Sequence, residues 1–230
     1  MKKGKFIVID GTDGSGKATQ AKELVSRLKR ESVKVKTVDF PRYEDNFFGK
    51  FIGECLTGEY GDFIKIHPKI VSTLYAADRF ESSEQIRKWI DRGYVVIADR
   101  YASSNQIHQG GKIENPRERR RFLNWLEEME FSVFKIPKPD LIFYLSVPVK
   151  VSQGLLKNED NGKKKGYQKG KADLAEKDLE HQEKARKSAM RMVEESNNWV
   201  KVGCTRCSKM RSIEDIHRDI FEKTISILKK

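Results

Sequence analysis

Residues 11–19 read Gly-Thr-Asp-Gly-Ser-Gly-Lys-Ala-Thr, a Gly-x4-Gly-Lys spacing that can wrap backbone N–H groups around a polyphosphate. The apolar run Phe6-Ile-Val-Ile9 precedes it and a helix-like stretch follows, the setting this spacing needs. Lys17 then reaches the β- and γ-phosphates of a nucleoside triphosphate, and the helix start adds its own partial positive charge. One position departs from the pattern. The residue after the lysine is Ala18, where a Ser or Thr hydroxyl usually serves Mg²⁺. Thr19 is next along, but a step of one residue turns its side chain to another face of the helix.

Further charged residues stand where apolar runs end. Moving a phosphoryl group between two phosphate-bearing molecules means bringing polyanions together and neutralising them. Lys17, Arg42, Arg79 and Arg100 are the candidate cations, with Asp13 and Asp99 as their counter-elements. Arginine suits the task because its planar fork donates two parallel hydrogen bonds to phosphate. Asp99 directly follows an apolar run and directly precedes Arg100, which suits it to hold Mg²⁺ or its water shell. Taken alone, Asp99-Arg100 reads equally well as a surface ion pair.

The elements that must position these residues alternate. Residues 5–10 read as a buried parallel strand, 17–31 as a helix through Ala21, Leu24, Val25 and Leu28, and 33–40 as a second strand. Residues 47–56 look helical. Residues 67–92 form a long helix, with Pro68 in its first turn and Gly93 as its stop. A third strand covers 94–98, a charged helix 115–130, a fourth strand 141–147 and a short fifth one 199–202. Helices over 173–197 and up to Leu228 complete the set, the last capped by Ser212-x-x-Asp215. Strands alternating with helices predict an α/β fold, a parallel sheet with helices on both faces. Ligands gather at the carboxyl ends of such strands, where the Gly11 loop, residues 40–43 and Asp99-Arg100 all fall.

Composition bounds the rest. A chain of 230 residues can bury a core as one domain over 1–230 without disulfides. It has no apolar run of membrane-spanning length and no secretory leader, so a cytoplasmic protein with no membrane partner is expected. Three cysteines argue against a disulfide framework, and Cys204-x-x-Cys207 stands without the second pair that a zinc site would use. The net charge of +12 raises a nucleic-acid reading, but the cations are interleaved with Glu and Asp and no nucleic-acid motif appears, so no nucleic-acid partner is expected. A local excess of lysine around Lys163-Lys164-Lys165 reads as a solvated loop or a phosphate-facing one.

In order along the chain, these residues resemble the thymidylate kinases, P-loop nucleoside monophosphate kinases that pass the γ-phosphate of ATP to dTMP. Ile9-Asp10-Gly-Thr-Asp13-Gly-Ser-Gly-Lys17-x-Thr-Gln20 is similar to that family's phosphate loop. Phe40-Pro41-Arg42 resembles its acceptor-phosphate segment, and Leu74-Tyr75-Ala-Ala-Asp78-Arg79 its helix motif. Asp99-Arg100-Tyr101 followed by Ser104, Gln106 and Gln109-Gly110 resembles its central signature, and Pro139-Asp140-Leu through Leu145-x-Val the strand before the lid. The resemblance implies a P-loop NTPase three-layer sandwich with a five-stranded parallel sheet and a lid at about 154–172. It implies ATP on Gly11, Asp13, Gly14, Ser15, Gly16, Lys17, Ala18 and Thr19, with Lys17, Asp99, Arg100 and Arg42 as catalytic groups and Asp99 holding Mg²⁺. On the acceptor side it implies Asp13 at the sugar 3′-OH, Tyr75 stacked on the pyrimidine, Arg79 at a base carbonyl, Ser104 and Gln106 at the other base edge, and Arg42 with Arg100 clamping the monophosphate. A homodimer and a place in dTTP synthesis are implied as well.

Two features depart from that family's pattern. Ala18 removes a metal-side hydroxyl. The lid stretch from Gly154 to Lys171 contains no arginine, leaving Lys163, Lys164, Lys165, Lys169 and Lys171 as point charges without bidentate geometry. These departures suggest a catalytically impaired nucleotide-binding homologue as one alternative; a kinase for another nucleoside monophosphate, sharing Tyr75, Arg79, Ser104 and Gln106 but differing in a base or sugar contact, is the other.

Overall fold

The computed structural model of the chain describes residues 3–159 and 178–229. Five strands form one parallel sheet in the order β2-β3-β1-β4-β5: β1 Phe6–Gly11, β2 Val35–Asp39, β3 Val95–Asp99, β4 Leu141–Ser146 and β5 Trp199–Gly203. The register pairs Phe6 with Val96 and Ile7 with Leu141, so β1 is the centre of the sheet. Every residue of β1 is buried, as a strand covered on both faces requires.

Side-chain alternation sorts the core into two layers. Phe6, Val8, Val96, Ala98, Ile142 and Tyr144 face one side, where they meet Ile86 and Ile90 of α3 (Pro68–Asp91) and Ala185 and Ala189 of α6 (Leu179–Glu195). Ile7, Ile9, Ile97, Phe143 and Leu145 face the other, against Leu24 and Leu28 of α1 (Lys17–Arg30) and Ile216 and Ile220 of α7 (Ile213–Leu228). The expected sheet with helices on both faces is therefore the observed one. Among the described residues the other α-helices of more than one turn are α2 (Phe47–Leu56), α4 (Pro116–Glu127) and α5 (Val149–Glu159).

Boundaries follow local chemistry. Gly93, at φ 79°, ends the long helix in the left-handed region that glycine enters without penalty. The side chain of Asn115 accepts from the N–H groups of Arg117 and Glu118, so α4 begins one residue later than the charge pattern suggests. The expected helix over 173–197 begins at Leu179 among the described residues, with Asp178 capping the N–H of His181 at 2.9 Å. Ser212 caps α7 through Asp215, as its spacing requires. After β5 comes a small antiparallel hairpin, β6 (Thr205–Arg206) and β7 (Lys209–Met210). Its turn is Cys207-Ser208, both at positive φ. Cys204 is buried and Cys207 exposed, so the Cys-x-x-Cys spacing marks one side of a turn rather than a ligand pair. Lys163, Lys164, Lys165, Lys169 and Lys171, and most of the expected lid, lie outside the described residues.

Candidate active site

Two cavities open at the carboxyl end of the sheet and share a wall of Asp13, Phe40, Pro41, Tyr43 and Arg100. The first is built on the loop between β1 and α1. Gly14 (φ 71°) and Gly16 (φ 86°) give the loop its curl, and both conformations are costly with a Cβ. At Gly14 a Cβ would also sit 2.4 Å from the carbonyl oxygen of Ser152, so α5 packs directly on the loop. The Lys17 ammonium folds back over it, donating to the carbonyl of Thr12 at 2.9 Å with the Asp13 carboxylate 4.0 Å away. Burial lowers the Lys17 pKa to about 8, helped by the nearby Arg100 charge. Asp99 lines the same cavity, in register with Asp39 on β2. Burial holds its carboxyl above the usual carboxylate range, against the pull of Lys17 and Arg100. Ala18 and Thr19 both line this cavity.

Arg42 also lines the phosphate-loop cavity, its guanidinium held by Asp45 at 2.5 Å. Its backbone is fixed from two sides. The Arg42 N–H donates to Asp78 at 3.2 Å, and α2 passes so close that a Cβ on Gly49 would lie 2.0 Å from the Arg42 carbonyl oxygen.

The second cavity holds Asp13, Tyr75, Arg79, Arg100 and Ser104 around an apolar wall that includes Phe40, Phe63 and Val71. Arg79 is buried and makes a two-point ion pair with Glu130, Nε to Oε2 at 2.8 Å and Nη2 to Oε1 at 2.5 Å. That pair holds one edge of the guanidinium and leaves Nη1 near the carbonyl of Tyr101 at 3.5 Å. Ser104 donates to the buried carboxylate of Asp10 at 2.8 Å, beside Ser103 at 2.5 Å.

Arg100 stands at the junction of the cavities. It follows the last residue of β3 with φ 64°, a left-handed backbone unusual for a side chain of this size and of a kind often kept at functional positions. Its N–H still donates to the carbonyl of Ile9 at 3.0 Å, so the turn is anchored to the central strand. The guanidinium pairs with Asp13 and lies 3.8 Å from Asp10. Burial opposes its charge, but the carboxylates of Asp13, Asp10 and Asp99 outweigh that and raise its pKa above the ordinary arginine value.

Gln106 does not join this group, which corrects the expectation for it. The turn Ala102–Ser104 runs into a π-helical turn, Asn105–Gln109, and Gln106 lines two clefts elsewhere on the molecule. Ser104 lines the acceptor cavity and Gln106 does not, so the two do not share one base edge. Asn105, His108 and Gln109 line the second cavity instead. Asn105 is held by Glu130 at 2.9 Å and by the carbonyl of Ser72 at 3.1 Å. Sequence reasoning also missed Glu130, His181 and Gln182. A four-residue step from Ser104 would have found His108; nothing local marks the other three.

Comparison with known proteins returns a single family description. The family model described as thymidylate kinase matches residues 9–220. A thymidylate kinase of Plasmodium falciparum (isolate 3D7) is 31% identical over 226 residues, spanning 98% of this chain and 92% of its own length. A probable thymidylate kinase of Pyrococcus horikoshii is 33% identical over 220 residues, covering 95% of this chain and 94% of that one. Among solved structures, thymidylate kinase from Candida albicans superposes with a TM-score of 0.69 at 24% identity, over 97% of this chain and 92% of that one, which supports the fold.

Proposed function

The chain belongs to the thymidylate kinase family and moves the γ-phosphate of ATP to dTMP, giving dTDP and ADP; from that premise we propose how its own residues do the work. One observation carries the reading: a phosphate-loop cavity and an apolar-walled acceptor cavity meet at Asp13 and Arg100. ATP phosphates lie on the loop of Gly11, Asp13, Gly14, Ser15 and Gly16, with Lys17, Ala18 and Thr19 at the start of α1. dTMP lies in the second cavity, its ring against Tyr75, one carbonyl taking the remaining donor of Arg79, and its other edge meeting Ser104 and Asn105. Asp13 accepts from the sugar hydroxyl. Arg100, joined by Arg42 once it leaves Asp45, clamps the acceptor phosphate. Catalysis is then mostly alignment and charge neutralisation, with no covalent intermediate on the protein. Of the alternatives, a kinase for another nucleoside monophosphate has no observation in its favour, and an impaired homologue has only Ala18 and the arginine-free lid sequence, against which Lys17, Asp99, Arg42 and Arg100 are all present. The test is ADP release from ATP against a panel of nucleoside monophosphates. Turnover should be greatest with dTMP, and no dTMP-dependent ADP would overturn the reading.

Mg²⁺ fits the site as a shared guest. Among the described residues no group of three or more His, Cys, Asp or Glu could hold a metal by itself. Mg²⁺ however binds through one or two carboxylates together with substrate phosphates and water. Asp99, a half-buried carboxylate in the cavity of Lys17, supplies that kind of ligand. Bound there, the ion would neutralise charge on the donor phosphates. Ala18→Thr adds an oxygen to the same cavity and is expected to lower the Mg²⁺ concentration for half-maximal turnover. An unchanged Mg²⁺ titration would show that the ion is held wholly by other groups.

The lowered Lys17 pKa sets a pH dependence. In the free protein Lys17 is cationic below about pH 8 and neutral above it. The kcat/KM for ATP, which reports the free enzyme, should therefore fall as pH rises through that value. The kcat should hold to higher pH, because bound phosphates restore the ammonium. A kcat/KM profile flat across that range would refute the assignment.

Homodimerisation and a cytoplasmic location belong to the same reading. Phe47 on α2, Phe80 on α3 and Val133 are 73%, 48% and 68% exposed. They are drawn towards one another because Glu81 accepts from the N–H groups of Phe47 and Phe48, and Phe80 meets Phe134 at 5.4 Å between ring centroids. An apolar patch of this kind suits a second copy of the chain. The free thiols of Cys55, Cys204 and Cys207 suit a reducing compartment. No helix among the described residues is long and apolar enough to cross a membrane.

A further inference from the structure

Two histidines with no role so far stack in the wall of the acceptor cavity. His108 lies in the π-helical turn and His181 in the first turn of α6, their rings 5.4 Å apart between centroids and inclined by 23°. Arg100 Nη1 is 3.2 Å from His108 Nε2, and His108 Nδ1 is 3.3 Å from His181 Nε2. A guanidinium has only donors to offer, so His108 Nε2 has to be the acceptor. Its proton then sits on Nδ1 and is donated to His181 Nε2, which leaves the His181 proton on its own Nδ1. Every hydrogen bond of the chain Arg100–His108–His181 is made by a single set of neutral tautomers, and the opposite set would aim N–H at N–H. Burial, with Arg100 next in effect, keeps the His108 imidazole neutral, and burial with Lys112 does so for His181. The same turn of α6 reaches the other partner at the junction. Gln182 Nε2 donates to Asp13 at 2.8 Å. Adjacent residues of α6 thus reach both members of the Arg100–Asp13 pair, Gln182 directly at Asp13 and His181 through His108 at Arg100.

We propose that His108 and His181 are positioning residues: a tautomer-locked relay that holds the Arg100 guanidinium at the junction of the two cavities and ties its position to the first turn of α6. This rests on Arg100 being the acceptor-phosphate clamp. When a phosphate draws Arg100 Nη2 from Asp13, the acceptor on His108, beside the carbonyl of Gly11 at 3.4 Å, still holds the Nη1 prong of the fork, so the arginine turns about that prong instead of sampling the cavity. His181 does not touch Arg100 and acts by keeping the lone pair of His108 on the right nitrogen.

Two measurements test it. In the ¹⁵N-labelled whole protein at neutral pH, the imidazole of His108 should carry its proton on Nδ1 with Nε2 bare; in His181→Phe, where Arg100 still faces Nε2 but Nδ1–H has lost its acceptor, that tautomer should be held less strongly and its proton should exchange with water faster. In steady-state kinetics His108→Phe should lower kcat on the order of tenfold, the scale of a lost hydrogen bond to a charged group, while the KM for ATP stays unchanged. His108→Gln should recover most of the loss, since its amide can accept from Arg100 and donate to His181. Should His108→Phe fail to fold in a thermal melt, the tautomer measurement and His181→Phe carry the test. A proton on His108 Nε2, or full turnover in His108→Phe, overturns the proposal. If Arg100→Ala keeps its turnover, it is the clamp assignment that fails, whereas the tautomers judge the relay alone.

Discussion

Alanine in place of Arg100 should lower turnover with dTMP by roughly two to three orders of magnitude, the range found when one preorganised donor to a transition state is removed. The expectation comes from position and charge. Arg100 is the cation shared by both cavities, and three carboxylates keep it charged despite its burial. Arg100→Lys separates charge from shape: a point charge without the fork should recover only part of the loss. Backbone strain offers a control. At φ 64° alanine is as strained as arginine, while glycine is not. Arg100→Gly should therefore unfold at a higher temperature than Arg100→Ala while turning over no faster. Near-normal turnover in Arg100→Ala, measured at saturating ATP and dTMP, would refute the clamp.

The second large effect is on stability. Glu130→Gln leaves the Arg79 guanidinium, 2% exposed, without its counter-charge. Removing one partner of a buried ion pair costs roughly 3–5 kcal/mol. For a chain of this size that amounts to a fall in Tm on the order of 10 °C. Glu130 also holds Asn105, so the KM for dTMP should rise as both base-facing side chains loosen. A double variant, Arg79→Met with Glu130→Leu, replaces the pair by apolar groups and should recover much of the stability but not the affinity. A Tm for Glu130→Gln close to the parent would show that water already reaches the pair.

The sheet and the phosphate loop were legible because their signals are local. A run such as Phe6-Ile-Val-Ile9 can only be a strand buried on both faces, and glycines before a lysine at a helix start have few other uses. The acceptor cavity was legible only where a motif named its residues. Gln106 failed because a motif written in linear order ignores which way a helix turns. His181, Gln182 and Glu130 were invisible for another reason. Their partners His108, Asp13 and Arg79 lie 73, 169 and 51 residues away, and only the packing of α6 and of the π-helical turn Glu128–Val133 that follows α4 brings them near. The Cys204-x-x-Cys207 pattern shows the converse, a suggestive spacing that a two-residue turn explains in full.

The strand order has a consequence for how the protein is made. β1 leaves the ribosome first, yet its neighbours in the sheet are β3 and β4, which begin at Val95 and Leu141. At about 5–20 residues per second, this wholly buried strand waits on the order of ten seconds with both edges unpaired. No early fragment can shelter it, because β2 docks only on β3. The nascent chain therefore carries an aggregation-prone segment through most of its synthesis, and the central strand closes on both sides only when translation has passed β4.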